Sequence, residues 1–375
     1  MDNYYICKLN KNEHKILKKN PHCIQFFCEV DRIKKSKWPF NKYTIRRSKY
    51  TNFYRYKIPR KIGSIQESNL PAVSFKDLKR EKIFKTTDDI IKLKPKVTYE
   101  PRKQRPSTTT HLGQLKLFLS TVQFLLYYAP KDKEVHVIYP GSAHGYNIMF
   151  LTELFPQCKW HLIDPGNFYK KLYKNPKIVD IQNMLFTDKL VEEKKKTLKD
   201  KYKLLISDIR LNPTDEDIDR DNRLQEKWVK ILKPNYAQLK WRIPRITKIY
   251  KYFDGIDYLQ MFAADATTET RLVVKGTGKI KMKEWKYEDD ENVMYYFNRI
   301  LRPSYYKTNV KHKCIDHCHD CVAMIKLLTE YKEKYPKNKF SQQSISNMIE
   351  TLLKRIQNVK VRLCNNFNKT LKNLR

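Results

Sequence analysis

The chain has 375 residues, with 77 lysines and arginines against 40 aspartates and glutamates, and a formal net charge of +37. This length is enough for a substantial core, and the charge exceeds what solubility requires, so a polyanionic partner such as RNA is indicated; a coding bias towards lysine would also raise the charge, without building a binding face. No run of about 18 apolar residues occurs, so a membrane-spanning helix is not expected.

The first part of the chain, residues 1–105, is treated as a basic extension or accessory domain. Between residues 30 and 62, tyrosines are interleaved with lysines and arginines. This mixture is typical of RNA-contacting surfaces, on which phosphates meet cations and bases stack on rings. An ordinary solvated face of a small β-rich domain would have the same composition, so both interpretations stay open.

The main domain is predicted at residues 106–305, and its first element is an apolar helix from His111 to about Tyr128. Leucines recur along this helix at helical spacing, so one face belongs to the core. Lys116 interrupts the apolar residues. Its ammonium group either extends to solvent or points into a functional site, and the local sequence does not decide between the two.

The segment from Glu134 to Asp164 has the order strand, turn with Gly141 and Gly145, apolar helix, second strand. This order is the nucleotide-binding half of a doubly wound α/β sheet. Glycine lets the backbone approach a ligand, and an acid after the second strand can accept from ribose hydroxyls. The turn lacks the G-x-G-x-x-G pattern of dinucleotide sites, which favours S-adenosylmethionine; glycines that serve only packing are the alternative.

Further buried strands complete the predicted sheet: residues 177–185, 204–209, 236–241, 257–262 and 270–274. Asp208 lies at the end of one strand, Lys240 near the end of the next, and Glu269 directly before the last. Because strand ends at one edge of an open α/β sheet line its crevice, we expect these charges to converge there with Lys116.

Five short motifs follow one another in the chain: GQLK, YPGSAHG, LISDIR, LKWR and TETRL. Together they resemble the poxvirus family of cap-specific mRNA 2'-O-methyltransferases, which also act as the small subunit of poly(A) polymerase. The resemblance covers roughly residues 99–302. It implies a Rossmann-like, S-adenosylmethionine-dependent methyltransferase with added N- and C-terminal segments, and a catalytic tetrad whose members here are Lys116, Asp208, Lys240 and Glu269.

The chemistry explains these residue types. A ribose 2'-hydroxyl is a poor nucleophile near neutral pH, so its attack on a methyl group needs a base within hydrogen-bond reach. Lys240 is the candidate base, and burial beside a second cation such as Lys116 promotes the loss of its proton. Asp208 and Glu269 would orient the two ammonium groups. No metal is expected, because positioning and an activated methyl donor carry the reaction.

The resemblance also implies the residues that bind the methyl donor. Leu185, within residues 184–186, is expected to cover the adenine. His144 stands where the poxvirus turn has proline. The remaining donor-binding positions are matched by Tyr139, Gly141, Ser142, Gly145 and Asp164.

A cap pocket is implied by two further matches. Tyr99 corresponds to the aromatic residue that stacks on 7-methylguanine, and Glu291 to an acid that pairs with the guanine edge. The family's second stacking residue is a phenylalanine, whereas this chain has Arg245. An arginine can stack on a ring but repels a methylated, cationic base, so we expect recognition to rest on Tyr99 and Glu291.

Residues 306–375 are expected to form a basic, helical extension. Cys314, Cys318 and Cys321 are spaced C-x3-C-x2-C among several histidines. Such a cluster can supply zinc ligands. It lacks a second C-x2-C pair and leads into an apolar helix, so we favour residues that simply begin this helix.

The function implied by the resemblance is methyl transfer from S-adenosylmethionine to the ribose 2'-hydroxyl of the first transcribed nucleotide of capped mRNA. A poly(A) polymerase catalytic subunit is the expected protein partner, and no membrane is expected as a partner. The expected location is the viral factory in the host cytoplasm, with the virion as a second location. The alternative is a non-catalytic, RNA-binding processivity subunit. The complete tetrad favours catalysis, because a pure binding module has no need of four buried charges.

Overall fold

The computed structural model of the protein describes the backbone of two short strands, β1 (Tyr5–Cys7) and β2 (Ile33–Lys35), which pair antiparallel. The other described residues are 82–94, 99, 112–210, 212–264, 267–302, 306–312, 314–315 and 318–356. The basic, aromatic segment at 30–62 therefore lies outside the described residues except for β2. The same is true of His111 and His317.

The centre of the fold is a sheet of seven described strands in the order β5-β4-β3-β6-β7-β10-β9. The strands from β5 to β7 are parallel, and β10 runs antiparallel to β7 and β9. Strand order reverses at β3, so the crevice lies at the carboxyl ends of β3 and β6. The strands are β3 (Val135–Pro140), β4 (Cys158–Ile163), β5 (Ile178–Gln182), β6 (Tyr202–Ser207), β7 (Tyr236–Trp241), β8 (Ile249–Phe253), β9 (Ile256–Tyr258), β10 (Thr270–Val274) and β11 (Met282–Lys286).

Helices cover the sheet and connect its strands. Three of them begin after a threonine whose side chain accepts a hydrogen bond from the first turn: Thr86, Thr187 and Thr214. The helices are α1 (Thr87–Ile91), α2 (Gly113–Tyr128), α3 (Ile148–Leu154), α4 (Asp188–Thr197), α5 (Asp215–Leu232), α6 (Tyr287–Tyr296), α7 (His319–Lys334) and α8 (Ile345–Arg355). A 3-10 helix spans Lys170–Lys174, and a π-helical turn spans Phe297–Leu301.

Two hydrophobic clusters lie on the opposite faces of the sheet. Val137 belongs to the cluster formed with α2, α3, α7 and α8, and the next residue, Ile138, belongs to the cluster formed with α4, α5 and the β8–β11 pair. Successive side chains of a strand point to opposite faces, so strands buried on both sides are continuously apolar. The first cluster also contains Ile83, Phe84 and Ile90, which lie far before α2 in the chain.

The predicted α/β, Rossmann-like fold is confirmed. The antiparallel pair of β8 and β11 was not predicted, because Lys251 interrupts the apolar residues of β8. Within the part of the chain that the structure describes, no helix combines the length and the apolar character needed to cross a bilayer.

The cysteine cluster lies at the beginning of α7, as the helix-start interpretation predicts. Cys318 is the N-cap residue, and the buried imidazole of His319 contacts the carbonyl oxygen of Phe84 at 3.0 Å. Cys314 is disulfide-bonded. Among the described residues, no three His, Cys, Asp or Glu side chains are grouped so that they would hold a metal ion.

Candidate active site

The four charged residues predicted from the sequence lie together at one edge of the sheet. Lys116 is in the first turns of α2, Asp208 directly follows β6, Lys240 is in β7, and Glu269 directly precedes β10. The ammonium of Lys116 donates to Oε1 of Glu269 at 2.8 Å. Nζ of Lys240 lies 3.3 Å from Oδ1 of Asp208 and 3.7 Å from Oε2 of Glu269.

The orientation of Lys116 is decided by its contact with Glu269. Its side chain is 14% exposed, so the ammonium does not extend to solvent. Burial lowers the pKa of Lys116 below its ordinary value, and the charge of Glu269 opposes this shift. Of the two alternatives left open by the sequence, Lys116 therefore points into the site.

A fifth charged residue, Arg271, completes the cluster. It lies in β10 opposite Lys240 in the antiparallel register. Its Nη2 donates to Oδ1 of Asp208 at 2.8 Å and lies 3.8 Å from Oε1 of Glu269. Arg271 was not predicted from the sequence, although the TETRL motif carries the signal: residues two apart along an extended chain, such as Glu269 and Arg271, face the same side.

Two buried glutamines hold this cluster in place. Gln260 accepts from Nε of Arg271 at 3.0 Å and donates to the backbone carbonyl of Glu269 at 2.8 Å. Gln225 donates to the carbonyl of Lys240 at 3.0 Å and accepts from its N–H at 3.1 Å. These bonds fix the backbone at the positions from which Lys240 and Glu269 enter the site.

The charges of the cluster nearly balance. Burial alone would raise the pKa of Asp208 and of Glu269, but nearby cations, Arg271 first in both cases, lower each pKa below its ordinary value. Two carboxylates therefore face three cations, Lys116, Lys240 and Arg271. If one ammonium group releases its proton, the net charge of these five side chains becomes zero. Burial favours such a neutral cluster over a charged one.

The glycine turn after β3 brings the backbone close to the end of β6. Gly141 has φ of +81°, and a Cβ atom there would lie 2.8 Å from the backbone carbonyl of Asp208. Gly145 also has a positive φ, of +73°. The side chains of Tyr139 and Ser142 are buried, and Oγ of Ser142 has no hydrogen-bond partner among the described residues.

Asp164 shapes this turn through both of its carboxylate oxygens. Oδ2 accepts from the N–H of Ala143 at 3.1 Å, and Oδ1 accepts from the N–H of Gly166 at 2.7 Å. Each oxygen has a further lone pair, so a contact with ribose hydroxyls stays a prediction. Leu185 is 67% exposed and lies between β5 and α4, and its contact with adenine also stays a prediction.

The two residues predicted for the cap are both located at α6: Glu291 belongs to the helix, and Tyr99 contacts two other residues of it. The backbone N–H of Tyr99 donates to Oδ1 of Asn292 at 2.7 Å, and its ring meets the edge of Tyr295 with centroids 5.7 Å apart. Glu291, the neighbour of Asn292, accepts from the hydroxyl of Tyr287 at 2.6 Å. Tyr99 and Glu291 therefore lie near each other, although 192 positions apart in the numbering.

Comparison with known proteins identifies the family. A Myxoma virus (strain Lausanne) protein named cap-specific mRNA (nucleoside-2'-O-)-methyltransferase is 32% identical over 242 residues, 58% of this chain and 69% of the relative. A Fowlpox virus (strain NVSL) protein of the same name is 32% identical over 211 residues, 51% of this chain and 68% of the relative.

The chain is also similar to the solved structure of bluetongue virus VP4, which is described as a multifunctional RNA-capping production-line. The TM-score is 0.38 at 18% identity, over 52% of this chain and 33% of that chain. The model of the family described as Poly A polymerase regulatory subunit matches residues 79–353. The chain therefore belongs to the Poly A polymerase regulatory subunit family.

Proposed function

We propose that this protein transfers a methyl group from S-adenosylmethionine to the ribose 2'-hydroxyl of the first transcribed nucleotide of capped mRNA. The observation that carries the proposal is the buried ammonium of Lys240, held between Asp208 and Glu269 beside the glycine turn. The name of the Myxoma and Fowlpox relatives supports the same reaction.

Lys240 acts as the general base. Its neutral amine accepts the proton of the 2'-hydroxyl as the oxygen attacks the methyl group. Asp208 and Glu269 direct Nζ of Lys240, while Arg271 offsets part of their negative charge. Lys116 holds Glu269 from the opposite side and adds a second positive charge to the site.

The residues of the glycine turn fit the methyl donor. Gly141 and Gly145 present backbone without side chains, and the orphaned, buried Oγ of Ser142 offers a hydrogen bond to a polar ligand. Tyr139 forms a buried wall beside them. When bound, S-adenosylmethionine would supply an activated sulfonium methyl group, and Asp164 would add acceptor capacity for its ribose.

Capped RNA is selected by residues at the surface of α6. The ring of Tyr99, which is 38% exposed, offers a face to the methylated base. Glu291 keeps acceptor capacity for the guanine edge while it holds the Tyr287 hydroxyl. This arrangement supports preference for a capped 5' end over an uncapped one.

The test is a methyl-transfer assay with labelled S-adenosylmethionine on two RNAs that differ only in the cap. We expect label on the capped RNA, retained in the ribose of the first transcribed nucleotide after nuclease digestion. Lys240→Ala serves as the control for contaminating activity. Label on a base, or no transfer by a protein that binds the donor, would contradict the proposal.

We propose in addition that the protein binds a poly(A) polymerase catalytic subunit. The family description and the net charge of +37 favour this second role, because a strongly basic surface can hold RNA beside a polymerase. Polyadenylation assays with and without the protein test it. Longer tails with both the wild type and Lys240→Ala are expected, and tails unaffected by the protein would refute the role.

A further inference from the structure

Two arginines beside the reaction centre form no ion pair with an acidic residue among the described residues. Arg242 directly follows β7, two residues after Lys240, and Arg245 lies three residues further on. Arg242 is half-buried, and its Nε has no hydrogen-bond partner among the described residues. Arg245 is exposed. Neither guanidinium forms an ion pair within the part of the chain that the structure describes.

The two guanidinium groups repel each other. The pKa of Arg242 is lowered, first by burial and then by the charge of Arg245, while Tyr287, Asp215 and Glu269 oppose the shift. A buried cation is normally paired, because its desolvation is costly. Two neighbouring arginines that form no ion pair with a carboxylate among the described residues therefore indicate that an anionic ligand completes the site.

The position of the pair selects the kind of anion. The charge of Arg242 acts on Glu269 of the reaction centre and on Tyr287, whose hydroxyl donates to Glu291. Arg245 acts on Tyr287 as well. The pair thus lies near both the reaction centre, where Lys240 precedes Arg242 by two residues, and the acid proposed to face the cap.

A third arginine, Arg210, lies beside this pair. Its guanidinium also lies near Arg242, but Nη1 of Arg210 is 3.7 Å from Oδ2 of Asp221. Its charge is therefore already offset within the fold. The cations left for a ligand are Arg242 and Arg245.

We infer that Arg242 and Arg245 form a subsite for the 5'–5' triphosphate bridge of capped RNA. The inference rests on the proposed function, since the bridge joins the methylated base to the nucleotide that carries the reacting hydroxyl. Guanidinium groups bind phosphate oxygens through two parallel hydrogen bonds. Arg245 then contacts phosphate, which explains an arginine where the resembling family stacks a phenylalanine on the cationic base.

The experiment measures binding of three probes to the full-length protein by titration calorimetry: 7-methylguanosine 5'-triphosphate, 7-methylguanosine 5'-monophosphate and inorganic tripolyphosphate. The wild type should bind the triphosphate more tightly than the monophosphate. Arg242→Gln and Arg245→Gln should each weaken the triphosphate and the tripolyphosphate about tenfold. Monophosphate binding should change much less, and Arg245→Lys should retain part of the affinity.

The matched control is Arg223→Gln. Arg223 is 48% exposed on α5 and is paired with Glu226 at 2.9 Å, so its loss should leave all three affinities unchanged. Arg245 is exposed, so Arg245→Gln still tests the subsite if Arg242→Gln does not fold.

The outcomes separate this inference from the proposed function. Equal affinity of the wild type for triphosphate and monophosphate, or full triphosphate affinity in both glutamine variants, overturns the subsite while cap recognition by Tyr99 and Glu291 stands. A third outcome is that tripolyphosphate binds in an arginine-dependent manner and as tightly as 7-methylguanosine 5'-triphosphate. This result supports the subsite and contradicts the cap recognition in the proposed function.

Discussion

The guanidinium of Arg271 donates to Oδ1 of Asp208 at 2.8 Å. The ammonium of Lys240 approaches the same oxygen, at 3.3 Å. Oδ1 of Asp208 is thus shared by two cations. The attraction of Asp208 for Lys240 is weakened by the contact with Arg271, and its attraction for Arg271 is weakened by the contact with Lys240. The pKa of Asp208 is lowered despite its burial, with Arg271 as the strongest of the lowering influences. Arg271 therefore keeps Asp208 ionised and shares Oδ1 of Asp208 with Lys240.

Arg271→Gln should reduce both stability and activity. The side chain is only 3% exposed, and its removal leaves two buried carboxylates with less compensation, at a cost of about 3 kcal/mol in the free energy of unfolding. Urea unfolding followed by circular dichroism measures this. Arg223→Gln, at an exposed pair, should cost less than about 1 kcal/mol. An equal, small loss in both variants would mean that Arg271 is not part of the supporting structure.

Lys240→Ala should abolish methyl transfer and leave binding of S-adenosylmethionine intact, because the base is lost and the glycine turn is untouched. Lys240→Arg should be inactive too, since a guanidinium does not release its proton at working pH. Single-turnover methyl transfer and donor titration measure the two properties separately. Equal losses of donor affinity and of rate would assign Lys240 a structural role instead.

Gly141→Ala should weaken donor binding and destabilise the fold. The new Cβ would meet the Asp208 carbonyl at 2.8 Å, and the φ of +81° disfavours a side chain. Gly278 is the matched control, because its φ is +73° and no atom lies within 4 Å of an added Cβ. Gly278→Ala should cost only the backbone strain of about 1–2 kcal/mol. Donor titration and thermal unfolding of both variants test this difference, and identical behaviour would rule out the close approach.

Asp257→Asn should stabilise the protein at neutral pH. Asp257 accepts from Thr87 at 3.1 Å, and burial raises its pKa from 3.8 to about 6. Between these values the folded protein keeps the proton while the unfolded chain releases it, so wild-type stability falls as pH rises through the window. The variant should gain about 1–3 kcal/mol at pH near 7.5.

This gain should disappear as the pH falls below the ordinary pKa of 3.8, where Asp257 is protonated in both states. Urea unfolding of both proteins from about pH 3 to 8 measures it, with the exposed Asp188→Asn as the control. A difference in stability that does not vary with pH would show that the carboxyl group of Asp257 is ionised in the folded protein across the whole range.

Tyr99→Ala should remove most of the preference for capped over uncapped RNA, because the methylated base loses its stacking surface. A cation–π contact at an exposed site contributes about 0.5–1 kcal/mol, and stacking area adds to it. Competition between the two RNAs in the methyl-transfer assay measures the preference, with Tyr173→Ala, an exposed tyrosine on the 3-10 helix, as the control. An unchanged preference would assign the cap to other residues.

Residues at the ends of apolar strands were predictable, whereas those inside strands or in less regular segments were not. Asp208 and Lys240 stand out because each is a charge beside or within a continuous apolar run. Arg271 lies within β10. From the sequence, a single arginine in a strand is interpreted as a solvent-facing residue, whereas this one is buried. Gln260 lies between β9 and β10 and was missed for another reason: a neutral glutamine carries no local signal of burial.

The order of helices and strands, the glycine turn and the residue types at the strand ends could be predicted from the chain alone, because periodicity, turn chemistry and the run of motifs are local properties. Three features follow only from the folded protein: Lys116 reaches Glu269, Arg271 enters the site through the pairing of β7 with β10, and Arg242 and Arg245 form no ion pair among the described residues. Each of these depends on which distant segments become neighbours, and burial then sets the electrostatic balance among them.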